Sequence, residues 1–355
     1  MMLEYYYGLE HKEKFQQYFG NLYIGQHPTV EANSFMVLSF DFSGIDTTSH
    51  KSTYQGFLDN VLNGISIFMT TYEDLFTDEQ RQIIGSKSSP EAAIKTLFTF
   101  FKNNKISHKI YLLIDEYDHF ANELLSFDIE RFKANVTKNG FVRKFYEILK
   151  LATRNGLIGR LFMTGVSPLT MDSMTSGFNI ADNISLNPIF HDMMGFTHAE
   201  VQAMLKGVGI SQKKIPATMS DLAEWYDGYK FAMDNEPVFN PDMILYFLKE
   251  YSIKNEYPVD MLDSNIITDY RKTLNMFKKE DNLYLLTELI DTGHIDFTLT
   301  RSFDLEYFFK EEDFLSLLFY RGLLTFKEAR SSDWRFEIPN SAIKQQYFEY
   351  LPQFA

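Results

Sequence analysis

"KIYLLIDEYDHF", Lys109 to Phe120, is the stretch on which the fold turns. A short, nearly all-apolar run from Ile110 to Ile114 leads straight into Asp115 and Glu116, with Asp118 one step further on. Residues that are apolar at consecutive rather than alternate positions read as a strand buried on both faces, the pattern of a parallel sheet. In open α/β sheets such a strand delivers its last residues to the carboxyl edge, where ligands bind. The stretch therefore implies a fold and a place for a site.

The flanking sequence agrees. "FMVLSFDF" (Phe35–Phe42) reads as a second buried strand ending at an acidic residue, and "SGIDTTSH" after it is turn chemistry. From Lys51 to Leu75 the apolar residues Phe57, Leu58, Val61, Ile65 and Phe68 recur at helical spacing, and Ser89-Pro90-Glu91 opens another helix with proline in its first turn. A helix over 141–154, stopped near Asn155-Gly156, leads to the strand "LIGRLFMTG", and "NISLNPIF" (Asn183–Phe190) is expected to be a further strand. Strand, helices, strand is the α/β pattern.

Beyond about Gly195 the texture changes to successive short helices, with Thr197, Ser220 and Asn240 as expected caps. Near the end, "EEDFLSLLFYRGLLTF" is a helix running into a strand, "RFEIPN" a returning strand and "SAIKQQYFEYL" a closing helix, an order that suggests a winged-helix-like unit. The expected divisions are an α/β core over 1–195, a helical lid region over 196–295 and the winged-helix-like unit over 296–355.

Composition bounds the function. In 355 residues, 45% hydrophobic, with 34 Phe and 21 Tyr, there is enough apolar surface for a packed core. The formal charge of −14 repels nucleic acid and anionic lipid unless a local basic patch intervenes, and Lys327, Arg330 and Arg335 make only a thin one. With no cysteine there is neither a disulfide framework nor a thiolate zinc site, which fits a reducing, cytoplasmic setting. No apolar run approaches the ~18 residues that cross a bilayer, so no membrane contact is expected.

Asp115 at the end of its strand is suited to hold a magnesium ion through water, and Glu116 to orient or deprotonate an attacking water, the division of labour in phosphoryl transfer. The competing reading is a strand that simply ends in a solvated acidic turn. "RLFMTG" then ends at Thr164, with Gly165 and Ser167 following, so a second strand presents hydroxyls beside the carboxylates. The phosphate-cradling run GxxxxGK[ST] does not occur in these 355 residues; "IIGSKSSP" (Ile83–Pro90) lacks its spacing and reads as an inter-helix loop. "GVSPL" approximates a hydrolase nucleophile elbow, but Leu169 stands where glycine belongs and Pro168 removes an oxyanion-hole N–H. The eight histidines include no H-E-x-x-H, and "WYDGYKF" (Trp225–Phe231) reads as a helix end with Gly228 as its left-handed cap.

Taken in order and spacing, "LLIDEYD", "FMTGVSPLTMDSMTSGFNIADNISLNPIF", "MMGFTHAEV", "WYDGYKF" and "VFNPDMILYFL" resemble the AAA-ATPase-like family of bacterial proteins. The resemblance implies a P-loop NTPase-like parallel sheet, ATP and Mg2+ as ligands, Asp115 and Glu116 as the Walker B pair, and Thr164 and Ser167 in the sensor region. In that family a PD-(D/E)XK nuclease domain often follows the ATPase domain. Family members carry "RRFGKS" just before a helix like "MMLEYYYG", so the resemblance also implies that the central first strand and the phosphate loop lie outside this sequence, and that the chain by itself grips ATP weakly. A protein that binds and hydrolyses ATP in its full-length form, with a homo-oligomer as a possible form, is the leading expectation. The alternative is a nucleotide-independent protein or DNA interaction module built on the helical and winged-helix-like half.

Overall fold

The computed structural model describes residues 1–119, 140–166, 168, 180–263, 282–301, 303, 310–329 and 333–350. The chain separates into two compact units, Met1–Ala181 with Ser302–Tyr307, and Asp182–Arg301 with Phe308–Ala355.

In the first unit the three expected apolar runs form strands β1 (Met36–Asp41), β2 (Ile110–Asp115) and β3 (Ile158–Met163). They pair in parallel in the order β1-β2-β3, from Met36 opposite Ile110 to Asp41 opposite Asp115, and with Ile114 opposite Met163 after one irregularity near Ile110. Alternation then sends Met36, Leu38, Phe40, Ile110, Leu112 and Ile114 to one face, where all are buried. That face is covered by α4 (His50–Thr71) and α7 (Phe141–Arg154), with α6 (Pro90–Asn103) packed against both helices. The smaller opposite face clusters Phe35, Val37 and Tyr111 under Tyr7 of α1 (Met2–Tyr7).

The helices form where local chemistry allows. Ser49 and Ser52 close a reciprocal capping box at the start of α4, and Ser89 caps α6 ahead of Pro90. Phe57, Val61, Ile65 and Phe68 make one stripe on α4, and Phe57 stacks on Phe42 at 4.4 Å between ring centroids. Each such buried side chain stabilises by about 1.5–3 kcal/mol. Gly64 lets α4 lie directly on β1, since a Cβ there would stand 2.5 Å from the Ser39 carbonyl oxygen. Two short helices, α2 (Phe15–Phe19) and α3 (Tyr23–Gln26), precede β1, and α5 (Asp78–Gly85) takes up the first residues of the stretch expected to be an inter-helix loop. The outer edge of β1 is capped by a side chain: the Tyr72 hydroxyl accepts from Val37 N–H (2.8 Å) and donates to Glu10 Oε2 (2.6 Å).

The second unit is built on α8 (His198–Gly207), α9 (Ile215–Tyr226), α10 (Pro241–Lys254), α11 (Leu283–Thr292), α12 (Glu311–Tyr320) and α13 (Ser341–Tyr350). Strands β4 (Ile295–Phe297), β5 (Thr325–Ala329) and β6 (Trp334–Glu337) form an antiparallel sheet in the order β4-β6-β5. A single apolar cluster runs from Val201 and Leu222 through Phe247 and Leu289 to Phe336 and Tyr347, so helices and sheet share one core.

Two expectations are corrected here. "NISLNPIF" is not a strand: Asn183 and Asn187 each accept, at Oδ1, the N–H two residues on (Ser185 and Ile189, both 3.0 Å), and Pro188 has no N–H to give a ladder. Ser220 is not a cap, because α9 starts five residues earlier at Ile215, ahead of Pro216, and runs through it. Thr197 and Asn240 do cap α8 and α10, Thr197 in a capping box with Glu200. Among the short helices expected beyond Gly195, the one over "DMLDSNIITDYRKTLNMF" (260–277) lies mostly outside the described residues.

Candidate active site at the carboxyl ends of the strands

Because β1, β2 and β3 are parallel and adjacent, their last residues meet along one edge. Asp41 ends β1 opposite Asp115, which ends β2, and Thr164 follows β3 with its N–H on the Ile114 carbonyl (2.9 Å). The Thr164 hydroxyl donates to Asp115 Oδ1, which also accepts the Glu116 N–H (3.1 Å). Both donors hold the same oxygen. Among the described residues Asp115 Oδ2 carries no hydrogen bond, so the carboxylate is fixed at one oxygen and open at the other.

Glu116 leaves the strand in the left-handed region, at φ 52°, where a side chain with a Cβ is uncommon and strained. Its carbonyl accepts the His119 N–H (3.1 Å), closing a tight turn, and its carboxylate lies 3.4 Å from His119 Nδ1. Asp115 is the last, exposed residue of β2, and the half-buried Glu116 is the first residue of the turn.

Asp118, read from the sequence as a third charge beside the first two, is turned inward. It is fully buried and accepts the Val166 N–H at Oδ1 (3.0 Å). Beside it the Tyr117 N–H donates to the Thr164 carbonyl (3.1 Å). Two hydrogen bonds thus tie the turn after β2 to the segment after β3, and Gly165 is the residue that lets them close. A Cβ on Gly165 would stand 2.3 Å from Asp118 Oδ1 and 2.5 Å from the Tyr117 ring.

Of the expected site residues, Asp115, Glu116 and Thr164 come together at one edge, and Ser167 lies outside the described residues. Asp41 was not among them. Its signal was present, since "FMVLSFD" ends as "IYLLID" does, in a carboxylate after a buried run. Arg143 in α7 and Arg160 in β3 are engaged elsewhere: Arg143 Nε with Glu147 (3.1 Å), and Arg160 with both oxygens of Glu31 (2.6 and 3.2 Å).

The donors along this edge are carboxylate and hydroxyl oxygens, the hard ligands that a magnesium ion accepts while keeping several of its waters. A phosphate needs N–H groups or cations aimed at it, and the side chains that end the three strands supply neither. The strand ends fit the metal; a phosphate must be gripped by something else.

Other convergent groups have structural partners. Glu4, Glu10 and His11 bring ligand atoms within 4.8 Å of one another, with Glu10 held by Tyr72 and lying 3.6 Å from His11. In the second unit His191 is buried, with the Phe231 N–H on Nδ1 (3.3 Å) and the Glu236 carbonyl 2.6 Å from Nε2. His198 pairs instead with buried Asp227 (3.1 Å), and burial raises the Asp227 carboxyl above its ordinary value. Gly228, at φ 101°, packs so closely on Pro339 that a Cβ would lie 2.2 Å from its carbonyl oxygen. "WYDGYKF" is therefore a packed junction at the end of α9. Lys327 pairs with Glu337 (2.6 Å), and Arg335 pairs with Asp296 (2.7 Å) and Glu328 (3.1 Å). No described helix is long and apolar enough to cross a membrane.

Residues 1–175 match the model of the AAA-ATPase-like family, described as a predicted AAA-ATPase. An uncharacterized protein in the vnfD 5' region of Azotobacter chroococcum mcd 1 is 28% identical over 144 residues, 40% of this chain and 25% of that protein. The chain thus spans about a quarter of the curated relative it matches. A Walker-type ATPase of Pyrococcus abyssi is a distant structural neighbour, at a TM-score of 0.38 and 11% identity over 88% of this chain and 84% of that one. The stretch holding β1, β2, β3 and all three described residues of the expected site, residues 1–175, belongs to the AAA-ATPase-like family.

Proposed function

We propose that this protein works as an ATPase in which Asp115 holds magnesium and Glu116 activates the attacking water. The observation that carries the reading is the locked Asp115 carboxylate, with Oδ1 held by Thr164 and the Glu116 N–H and Oδ2 open at the carboxyl edge of a parallel sheet. A bound magnesium ion supplies charge neutralisation at a transferring phosphoryl group. Asp115 keeps one oxygen aimed outward, because its other oxygen cannot leave two donors cheaply. Glu116, set off the strand by its left-handed backbone, accepts the proton of a water on the solvent side. Thr164, from the neighbouring strand, reports the state of the edge through its hydrogen bond to Asp115.

Since the 355 residues contain no GxxxxGK[ST] run, the chain's own hold on ATP is weak. Calorimetric titration with MgATP tests this; sub-micromolar binding by the 355-residue chain contradicts it. The catalytic assignment is tested by Glu116→Gln, which keeps the side chain's size and polarity but removes the base. Nucleotide binding should persist and turnover should fall to background.

The second unit supports a complementary reading as a partner-binding module. Its order of α11, β4, α12, β5, β6 and α13 around an antiparallel sheet suits a winged-helix-like unit. Lys327 and Arg335 already pair with carboxylates, which favours a protein partner over DNA.

A further inference from the structure

We infer that Asp41 is a second metal-positioning residue, sharing with Asp115 a divalent cation at the carboxyl edge of the sheet; this deepens the ATPase reading and rests on it.

Three observations converge. Asp41 and Asp115 are direct register partners on adjacent parallel strands, so their side chains leave the same face, with backbones about 4.8 Å apart. Both are exposed at the strand ends, whereas the residues just before them, Phe40 and Ile114, are buried. Each is fixed at a single oxygen: Asp41 Oδ1 accepts the Ser43 N–H (2.8 Å), and Asp115 Oδ1 accepts from Thr164 and Glu116. Among the described residues neither Oδ2 carries a hydrogen bond. The two carboxylates are thus oriented independently, one by the turn after β1 and one by the end of β3, and each leaves one oxygen without a hydrogen bond among the described residues.

Like charges held side by side repel, and a sheet gains nothing by ending two strands this way. A divalent cation converts that repulsion into attraction. Magnesium is commonly held by one or two carboxylates and keeps the rest of its octahedron as water, which matches two open oxygens facing solvent. The backbone contact between the pair, Phe42 N–H on the Asp115 carbonyl (3.1 Å), fixes their spacing without using either side chain. The cation recognised is therefore a small, hard divalent ion, with or without a nucleotide attached.

The test is manganese binding, followed by the paramagnetic resonance signal of free Mn2+ without nucleotide, for the wild-type 355-residue chain, Asp41→Asn and Asp115→Asn. Asparagine keeps an acceptor for the Ser43 N–H, so Asp41→Asn should unfold at the same temperature as wild type in metal-free buffer. The inference predicts at least a tenfold loss of Mn2+ affinity in each variant, and a smaller metal-induced rise in unfolding temperature. Wild-type affinity in Asp41→Asn together with weakened binding in Asp115→Asn overturns the role of Asp41 and leaves the ATPase reading standing. Unchanged affinity in both variants, or no binding by the wild type at millimolar Mn2+, overturns both. If Asp41→Asn proves unstable, Asp41→Ser, which also retains a local acceptor, takes its place with the same expected loss.

Discussion

Asp118 Oδ1 accepts the backbone N–H of Val166 at 3.0 Å, across 48 residues of sequence, from a position with no solvent exposure. A carboxylate buried this deeply is tolerated when it is hydrogen-bonded, and here the bond joins the turn after β2 to the segment after β3. Asp118 thus holds the two strand ends in place without belonging to the open edge.

Removing that acceptor strands the Val166 N–H. Asp118→Ala should destabilise the first unit by about 1–3 kcal/mol, while Asp118→Asn, which still offers an oxygen, should lose clearly less. Urea unfolding of the two variants measures the difference. Equal losses mean that the hydrogen bond is not what matters at this position.

Gly165 admits Asp118 and the Tyr117 ring to the same space. Gly165→Ala places a methyl group 2.3 Å from one and 2.5 Å from the other. Overpacking of this kind typically costs about 1–3 kcal/mol, so a lowered urea midpoint is expected. In the Asp118→Ala background the oxygen that the methyl group meets is gone, and the added loss should shrink. An additive double variant contradicts the packing account.

The second unit has its own pH signature at Asp227. Burial raises this carboxyl above its ordinary value of 3.8, outweighing the opposing pull of the Gly228 N–H and of His198. A group with a higher pKa folded than unfolded binds more protons in the folded state, so its contribution to stability is full at low pH and is lost as pH rises through the folded value. Wild type should therefore lose stability relative to Asp227→Asn as pH rises from the ordinary carboxylate range toward neutrality. Urea unfolding at several pH values checks it, and a difference that grows in favour of wild type with rising pH refutes it.

Much of this molecule was legible in its sequence because the decisive signals were local. A buried apolar run ending in carboxylates at Ile110–Glu116, and a serine before a proline at Ser89-Pro90, each dictate structure within a few residues. "NISLNPIF" misled because its apolar spacing competes with asparagine side chains that bond the backbone locally, and the local bonds won. Asp118 misled for a different reason. It follows Asp115 and Glu116 within three residues, yet its burial goes with a bond to a segment 48 residues away that the local pattern does not contain. Asp41 went unnoticed until strand register set it beside Asp115, a relation that no reading of either strand alone supplies.

The central claim is that the Asp115–Glu116 edge carries out phosphoryl chemistry. Its most direct test is phosphate release from millimolar MgATP by the wild-type chain and Glu116→Gln, with folding of both verified by circular dichroism. The account predicts slow, metal-dependent release by the wild type and background release by Glu116→Gln. Equal rates in the two proteins, or a wild type indistinguishable from buffer, would contradict it.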